Sequence, residues 1–275
     1  MPYLKHLPLL AILHLLPTAT AHPARNIDIL LNAPWDATPK HAEALAYFAT
    51  PHNIDQQHAY YAYAEALATL PATDDADTAS IDELVRLASP LLEPLGRSVL
   101  RAHLAAGVLS PMVEMWRKLE ATEAAERGVD AGNTTAWLHV CGTGEYRAAT
   151  GAHSSAFEDT TRRAIAGSAS AGCALPKSAD ERAHSASAPL SVDVVHRGTE
   201  VGGVRPPLVV LYAPLGADVF LAAHRLLADA SARGQVTYVF RPLVRAATAY
   251  AEQQPVQGYG VELAIKNMEY KAMDD

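Results

Sequence analysis

Residues 208–241, LVVLYAPLGADVFLAAHRLLADASARGQVTYVFR, read as strand, helix, strand, and this reading sets the fold class of the chain. Residues 208–212 form an unbroken apolar run containing β-branched valines, the pattern of a strand buried on both faces of a parallel sheet. Asp218 is placed to cap a helix in which Phe220, Leu221, His224, Leu227 and Ala228 recur at helical spacing. Gly234 stops that helix, and residues 235–241 alternate as a second strand. Two strands joined through a helix in this order form a crossover unit, which is right-handed in nearly all known cases.

Outward from this unit, the chain opens with an export leader. Lys5 supplies the positive charge, residues 7–16 the apolar stretch, and Ala19-Thr20-Ala21 a small-x-small cleavage site. Pro8, His14 and Pro17 interrupt the run, which is too short to span a bilayer. Residues 1–21 are therefore expected to be removed, leaving a domain over residues 22–275 in an oxidising compartment. Loss of Lys5 takes the formal charge from −8 to −9. No block of Lys and Arg occurs, which argues against nucleic acid and against anionic membrane surfaces as partners. With 49% hydrophobic residues in 275, the chain has enough apolar surface for a sizeable core.

Residues 26–31 (NIDILL) read as the first strand, ended by Pro34-Trp35. Thr38 is expected as an N-cap with Pro39 in the first helical position, followed by Leu45, Phe48 and Ala49 at helical spacing. From about residue 53 to 127 the strand signal vanishes. Ala- and Leu-rich helical segments follow one another there, broken at Pro71, Pro90, Pro94 and Ser110-Pro111. The fold class is thus α/β with an all-helical insertion. Residues 136–140 (AWLHV) return to strand. Residues 142–188, rich in Gly, Ala, Ser and Thr, are expected to stay mobile apart from a short helix over 157–165. Residues 192–195 resume as a strand.

Cys141 precedes this segment and Cys173 lies within it. In an exported chain with an even cysteine count a disulfide is the favoured reading, and a loop of this length would contribute on the order of 3 kcal/mol; two buried thiols are the alternative. No His or acid stands at ligand spacing from either cysteine. The string from Cys141 to Arg147 begins like a glycine-rich phosphate loop, but Arg147 occupies the third glycine's place, so a turn is expected. Asp75-Ala76-Asp77 has the spacing of a nucleotide-diphosphate metal motif but lies between helices, as a solvated loop would. The twelve histidines are scattered and read as core or surface residues. Asn133-Thr134-Thr135 is a glycosylation sequon on a polar loop.

The strand–loop–helix–strand order resembles the core of thioredoxin folds, whose loop carries a Cys-x-x-Cys pair. The two cysteine positions fall about at Gly216 and Val219, neither of which forms a thiolate. At the C-terminus, residues 258–275, GYGVELAIKNMEYKAMDD, read as a turn, a strand over 261–265 and a polar tail. As a string they resemble the segment that ends the first thioredoxin-like domain of the UDP-glucose:glycoprotein glucosyltransferase family. Tyr238-Val239-Phe240-Arg241, Ala33-Pro34-Trp35 and Thr38-Pro39 are similar to further stretches of that family.

The resemblance implies a thioredoxin-like domain interrupted by a helical insertion, working in the endoplasmic-reticulum lumen on misfolded glycoproteins. In that family UDP-glucose is the donor and a divalent metal assists, both in a catalytic domain at the far C-terminal end of a much longer chain. No cofactor is expected here, and the chain reads as a fragment without that domain. Met112, Met115 and Trp116 are candidate contacts for unfolded clients; the alternative is that they pack the insertion's own core. A free-standing, redox-inactive thioredoxin-like binding module of the secretory pathway is the second functional reading.

Overall fold

The computed structural model describes residues 32–51, 55–70, 79–130, 134–140, 144–149, 154–168, 189–190, 192–196, 206–244 and 253–255. The crossover unit lies at its centre. Strand β5 (Leu208–Ala213) runs parallel to β6 (Thr237–Pro242), and helix α7 (Asp218–Ala232) connects them. On the other side of β5, β2 (Thr134–Val140) is antiparallel to it and pairs with β3 (Gly144–Ala149) in a hairpin. The two-residue β4 (Val195–His196) closes the far edge against β6, so the five strands stand in the order β3-β2-β5-β6-β4. A separate ribbon joins β1 (Asn32–Asp36) to β7 (Gln253–Pro255).

Between β1 and β2 come α1 (Lys40–Ala49), α2 (Gln56–Leu67), α3 (Ile81–Leu87), α4 (Pro94–Ala106) and α5 (Ser110–Glu126); α6 (Ser154–Ser168) follows β3. The helical insertion expected over 53–127 is thus present as α2 to α5. Pro94 does not break a helix but opens α4, and Ser110-Pro111 opens α5, because proline lacks only an amide that the first turn leaves unpaired anyway.

Alternation along the strands explains why their sequences are continuously apolar. Val209, Leu211 and Ala213 join one core together with Ala136, Leu138, Val140, Tyr238 and Phe240, under α1, α2 and α7. Leu208, Val210, Tyr212, Trp137 and Val239 point the other way into a second, smaller core with Ala124 and Val129. Both faces of the sheet are covered, so no polar face is needed.

Several local expectations are corrected. Asp218 does not cap α7; it is the first helical residue after Ala217, and its carboxylate stands in the first turn, where the helix dipole favours it. Pro39, not Thr38, occupies the N-cap position of α1, and the Thr38 hydroxyl instead donates to the buried carboxylate of Glu43 at 2.6 Å. Pro34-Trp35 lies within β1 rather than ending a strand, which a two-stranded ribbon tolerates because a proline there can face away from the ladder. The strand expected at 192–195 is reduced to Val195–His196.

Among the described residues, the Gly/Ala/Ser-rich segment contributes β3 and α6. The helix expected at 157–165 extends over Ser154–Ser168, with Phe157, Thr161 and Ala164 buried; Thr160 and Thr161 return their hydroxyls to carbonyls one turn back. Packing against α7 supplies what composition lacked. The glycine string after Cys141 leads into β3, with Gly144 opposite Val140. The expected strands at 26–31 and 261–265 lie outside the described residues.

The smaller core is closed by Arg241, 3% exposed. Its guanidinium grips the Asp193 carboxylate through Nε at 2.8 Å and Nη2 at 2.7 Å, and Nη1 donates to Glu123 at 2.6 Å and to the Tyr212 hydroxyl. Replacing Asp193 by Ala would leave a buried cation short of its bidentate partner, and is expected to cost about 3–5 kcal/mol. Urea unfolding of the variant checks this, and a loss below about 1 kcal/mol would place the pair with weak surface bridges.

Candidate functional site

The corner between β5 and α7 is where a thioredoxin fold would keep its redox pair. Gly216 stands there with φ of 77°, a left-handed conformation that suits glycine, and Val219 is buried in the first turn of α7. A side chain at position 216 would come within 3.8 Å of the Leu67 carbonyl oxygen, so the end of α2 lies over the corner. Leu215 and Ala217 are half-buried against the main core. The corner is partly buried, with Asp218 exposed, and neither Gly216 nor Val219 supplies a thiol for disulfide exchange.

A different concavity is open. A cleft of about 470 Å³ lies along α5, between Trp35 of β1 and Leu190 of the segment before β4, with Met115, Leu119 and Pro111 on its apolar wall. Glu114, Lys118, Glu123 and Glu126 bring charge to it, and Arg241 lines it too. Periodicity explains the helix wall: residues 111, 115 and 119 are four apart and share one face of α5. Glu114 is held by Arg117 and Lys118, both at 3.6 Å. The Trp35 indole nitrogen is buried and has no hydrogen-bond partner among the described residues, which leaves a donor without an acceptor at the cleft wall.

The electrostatics at Arg241 follow from its neighbours. Burial works against its charge, but the hydrogen bonds and charge of Asp193, with Tyr212 and Glu123, more than offset this and hold the guanidinium protonated. Burial pushes the Tyr212 hydroxyl well above its ordinary range. Register places Trp137, Tyr212 and Arg241 in one row across β2, β5 and β6. Trp137 stacks on Tyr212 with ring centres 4.0 Å apart and planes 8° from parallel, and the guanidinium carbon lies 5.6 Å from the Tyr212 ring centre.

The three candidate contacts separate. Met115 lines the cleft. Met112 is half-buried against the main core, and Trp116, 3% exposed, belongs to that core, so its ring offers no contact area at the surface. At helical spacing consecutive residues diverge by about 100°, which is why Met115 and Trp116 face different surroundings. Cys141, Cys173, Asn133 and Asp75-Ala76-Asp77 lie outside the described residues. Among the described residues no group of three His, Cys, Asp or Glu side chains is arranged to hold a metal ion, and no helix is long and apolar enough to cross a membrane. Sequence reading missed the Arg241 network and Leu190. Its one signal was Arg241 ending an otherwise apolar strand.

The family model described as "Thioredoxin-like domain" matches residues 37–250. The chain belongs to the thioredoxin-like domain family. It is similar to UDP-glucose:glycoprotein glucosyltransferase 1 of Rattus norvegicus, with 26% identity over 270 residues, which is 97% of this chain and 15% of the rat protein. Human UDP-glucose:glycoprotein glucosyltransferase 2 is 24% identical over 258 residues, covering 94% of this chain and 15% of that protein. The Drosophila melanogaster UDP-glucose:glycoprotein glucosyltransferase is 41% identical over 69 residues, 24% of this chain and 4% of its own length. The chain is thus a homologue of these glucosyltransferases and spans about one seventh of the length of the first two.

The different placements of two neighbouring residues can be tested. Trp116→Ala is expected to cost about 3–5 kcal/mol of stability, the range for emptying a buried aromatic site, whereas Met115→Ala at the cleft should cost less than about 1.5 kcal/mol. Thermal and urea unfolding of both variants give the comparison; equal losses would contradict it.

Proposed function

We propose that this chain acts as a non-catalytic, thioredoxin-like region of a UDP-glucose:glycoprotein glucosyltransferase in the endoplasmic-reticulum lumen. The whole enzyme, in this reading, transfers glucose from UDP-glucose to N-glycans of misfolded glycoproteins, with a divalent metal in a catalytic domain elsewhere. One observation carries it above the others: homology to these glucosyltransferases over 94–97% of the chain, joined to a thioredoxin topology with Gly216 and Val219 where the thiols would be. Residues 1–21 act as the export leader, and the oxidising lumen joins Cys141 to Cys173 and presents Asn133 for glycosylation.

The cleft along α5 is the client contact in this proposal. Unfolded glycoproteins expose apolar segments, and Met115 offers a deformable thioether surface for them beside Leu119 and Leu190.

Isothermal titration of the chain with a reduced, unfolded glycoprotein and with its native form tests this. Binding is expected for the unfolded form alone, and Met115→Glu should weaken it at least about tenfold, since a carboxylate in the cleft must be desolvated. Equal affinity for both forms, or none for either, would remove the client contact from this region. Thiol labelling of the denatured, unreduced chain should find no reactive cysteine, and two after reduction. Full labelling without reductant would rule out the bridge.

A further inference from the structure

Helix α2 is attached to the sheet by hydroxyls and rings rather than by aliphatic packing alone. The Tyr60 hydroxyl donates to the Phe240 carbonyl at 3.1 Å, and that of Tyr61 to the Val194 carbonyl at 2.7 Å, close also to that of Tyr238. The Tyr61 ring lies between two histidines. It stacks on His224 of α7, with centres 5.5 Å apart and planes 12° from parallel, and meets His196 of β4 edge-on at 5.2 Å.

In the neutral form, the partners of each histidine fix which ring nitrogen carries the proton. Ser231 donates its hydroxyl to the His196 carbonyl at 2.9 Å, so its oxygen accepts from His196 Nδ1–H at 3.0 Å. For His224, Nε2 lies 3.3 Å from a Glu65 carboxylate oxygen, which only accepts, and Nδ1 lies 3.0 Å from the Tyr238 hydroxyl. The proton therefore belongs on Nε2, with Nδ1 accepting from Tyr238. A second proton on Nδ1 would turn the Tyr238 hydroxyl into an acceptor and leave its own hydrogen without a partner in a fully buried site.

We propose that Tyr61, His196 and His224 form a proton-sensitive clasp: a proton gained by His224 loosens α2, and with it the helical insertion, from the sheet. The charged and titratable groups facing the clasp are few. From α2 come Tyr60, Tyr61 and Glu65; from β4 and the residues before it, His196 and Asp193; from β6, Tyr238 and Arg241; and α7 itself adds Arg225. Helix α6, also packed on α7, keeps Glu158, Asp159, Arg162 and Arg163 at least half-exposed or near the surface. Among the described residues Glu65 is the carboxylate that contacts His224, and its side chain is 47% exposed, so solvent screens the attraction it could offer an imidazolium.

Burial, with His196 and Arg225 adding repulsion, lowers the His224 pKa from 6.5 to about 4. Burial also lowers that of His196. A histidine whose folded value lies below its unfolded one contributes stability that is complete above the unfolded pKa. That stability is lost as pH falls from about 6.5 towards about 4. A local opening that frees His224 therefore becomes about 30-fold more populated at pH 5.0 than at pH 7.5.

Amide hydrogen exchange of the full 275-residue chain, corrected for the intrinsic pH dependence of exchange, tests the clasp. Residues 60–67 should open about 30-fold more often at pH 5.0 than at pH 7.5. At pH 5.0 they should also exchange at least about tenfold faster than residues 209–211 of β5, which marks opening of α2 by itself. In His224→Gln the pH effect on α2 should shrink to the smaller part that His196 contributes. The His224 pKa, read by NMR in the unaltered chain, serves even if that variant does not fold. Equal exchange of α2 and β5 at pH 5.0, a rise below about threefold, an undiminished pH effect in His224→Gln, or titration of His224 near 6.5 would each overturn the proposal.

Discussion

One cation buried at the edge of a sheet organises this molecule. Arg241 ends β6 on the face that carries the smaller core, and an unpaired guanidinium there would be too costly to bury. Its partners come from distant parts of the chain: Asp193 from before β4, Glu123 from the last helix of the insertion, Tyr212 from β5. Meeting the hydrogen-bonding needs of a single side chain thus fixes where α5 and the β4 segment lie against the sheet. The bidentate grip of Asp193 also sets an orientation that a lysine could not reproduce. Asp193 in turn accepts from the Leu190 amide at 2.7 Å, which places Leu190 at the cleft.

The insertion is not an appendage. Residues of α2, α3, α4 and α5 share one continuous core with β2, β5 and β6, so the helices and the sheet bury the same apolar surface. The large polar side chains at this junction are used as joints. Tyr60, Tyr61 and Tyr63 are fully buried in the main core, and each spends its hydroxyl on a main-chain carbonyl: the first two on the sheet side, Tyr63 on Leu84 of α3. Burial without such partners would be destabilising, so every tyrosine specifies a position as well as filling space. Phe48, Phe220 and Phe240 fill the remainder, with Phe220 and Phe240 ring centres 4.4 Å apart.

The same architecture accounts for what the fold has lost and kept. A reactive thiol needs an exposed, electropositive corner; here Gly216 and Val219 occupy the corner, Asp218 adds a negative charge, and the end of α2 lies beside it. An open concavity lies along α5, where one wall is apolar and the rim mixes both signs of charge.

Local pattern was enough for the central unit. The apolar run of β5, the periodicity of α7 and the left-handed Gly234 at its end announce a parallel β–α–β crossover, and those features depend only on neighbours in the chain. The helical insertion was legible for the same reason. Tertiary contact decided the rest. Residues 154–168 have too few large apolar side chains to demand a helix of that length, yet α7 stabilises one. Met115 and Trp116 are alike as sequence, and only the position of α5 sends one to the cleft and the other to the core. His224 reads as one more residue on an apolar helical face. Its meaning comes from Tyr61, Glu65 and Tyr238, which sequence separates and folding brings within bonding distance. A buried charge or imidazole is defined by partners it meets only after the chain has closed around it.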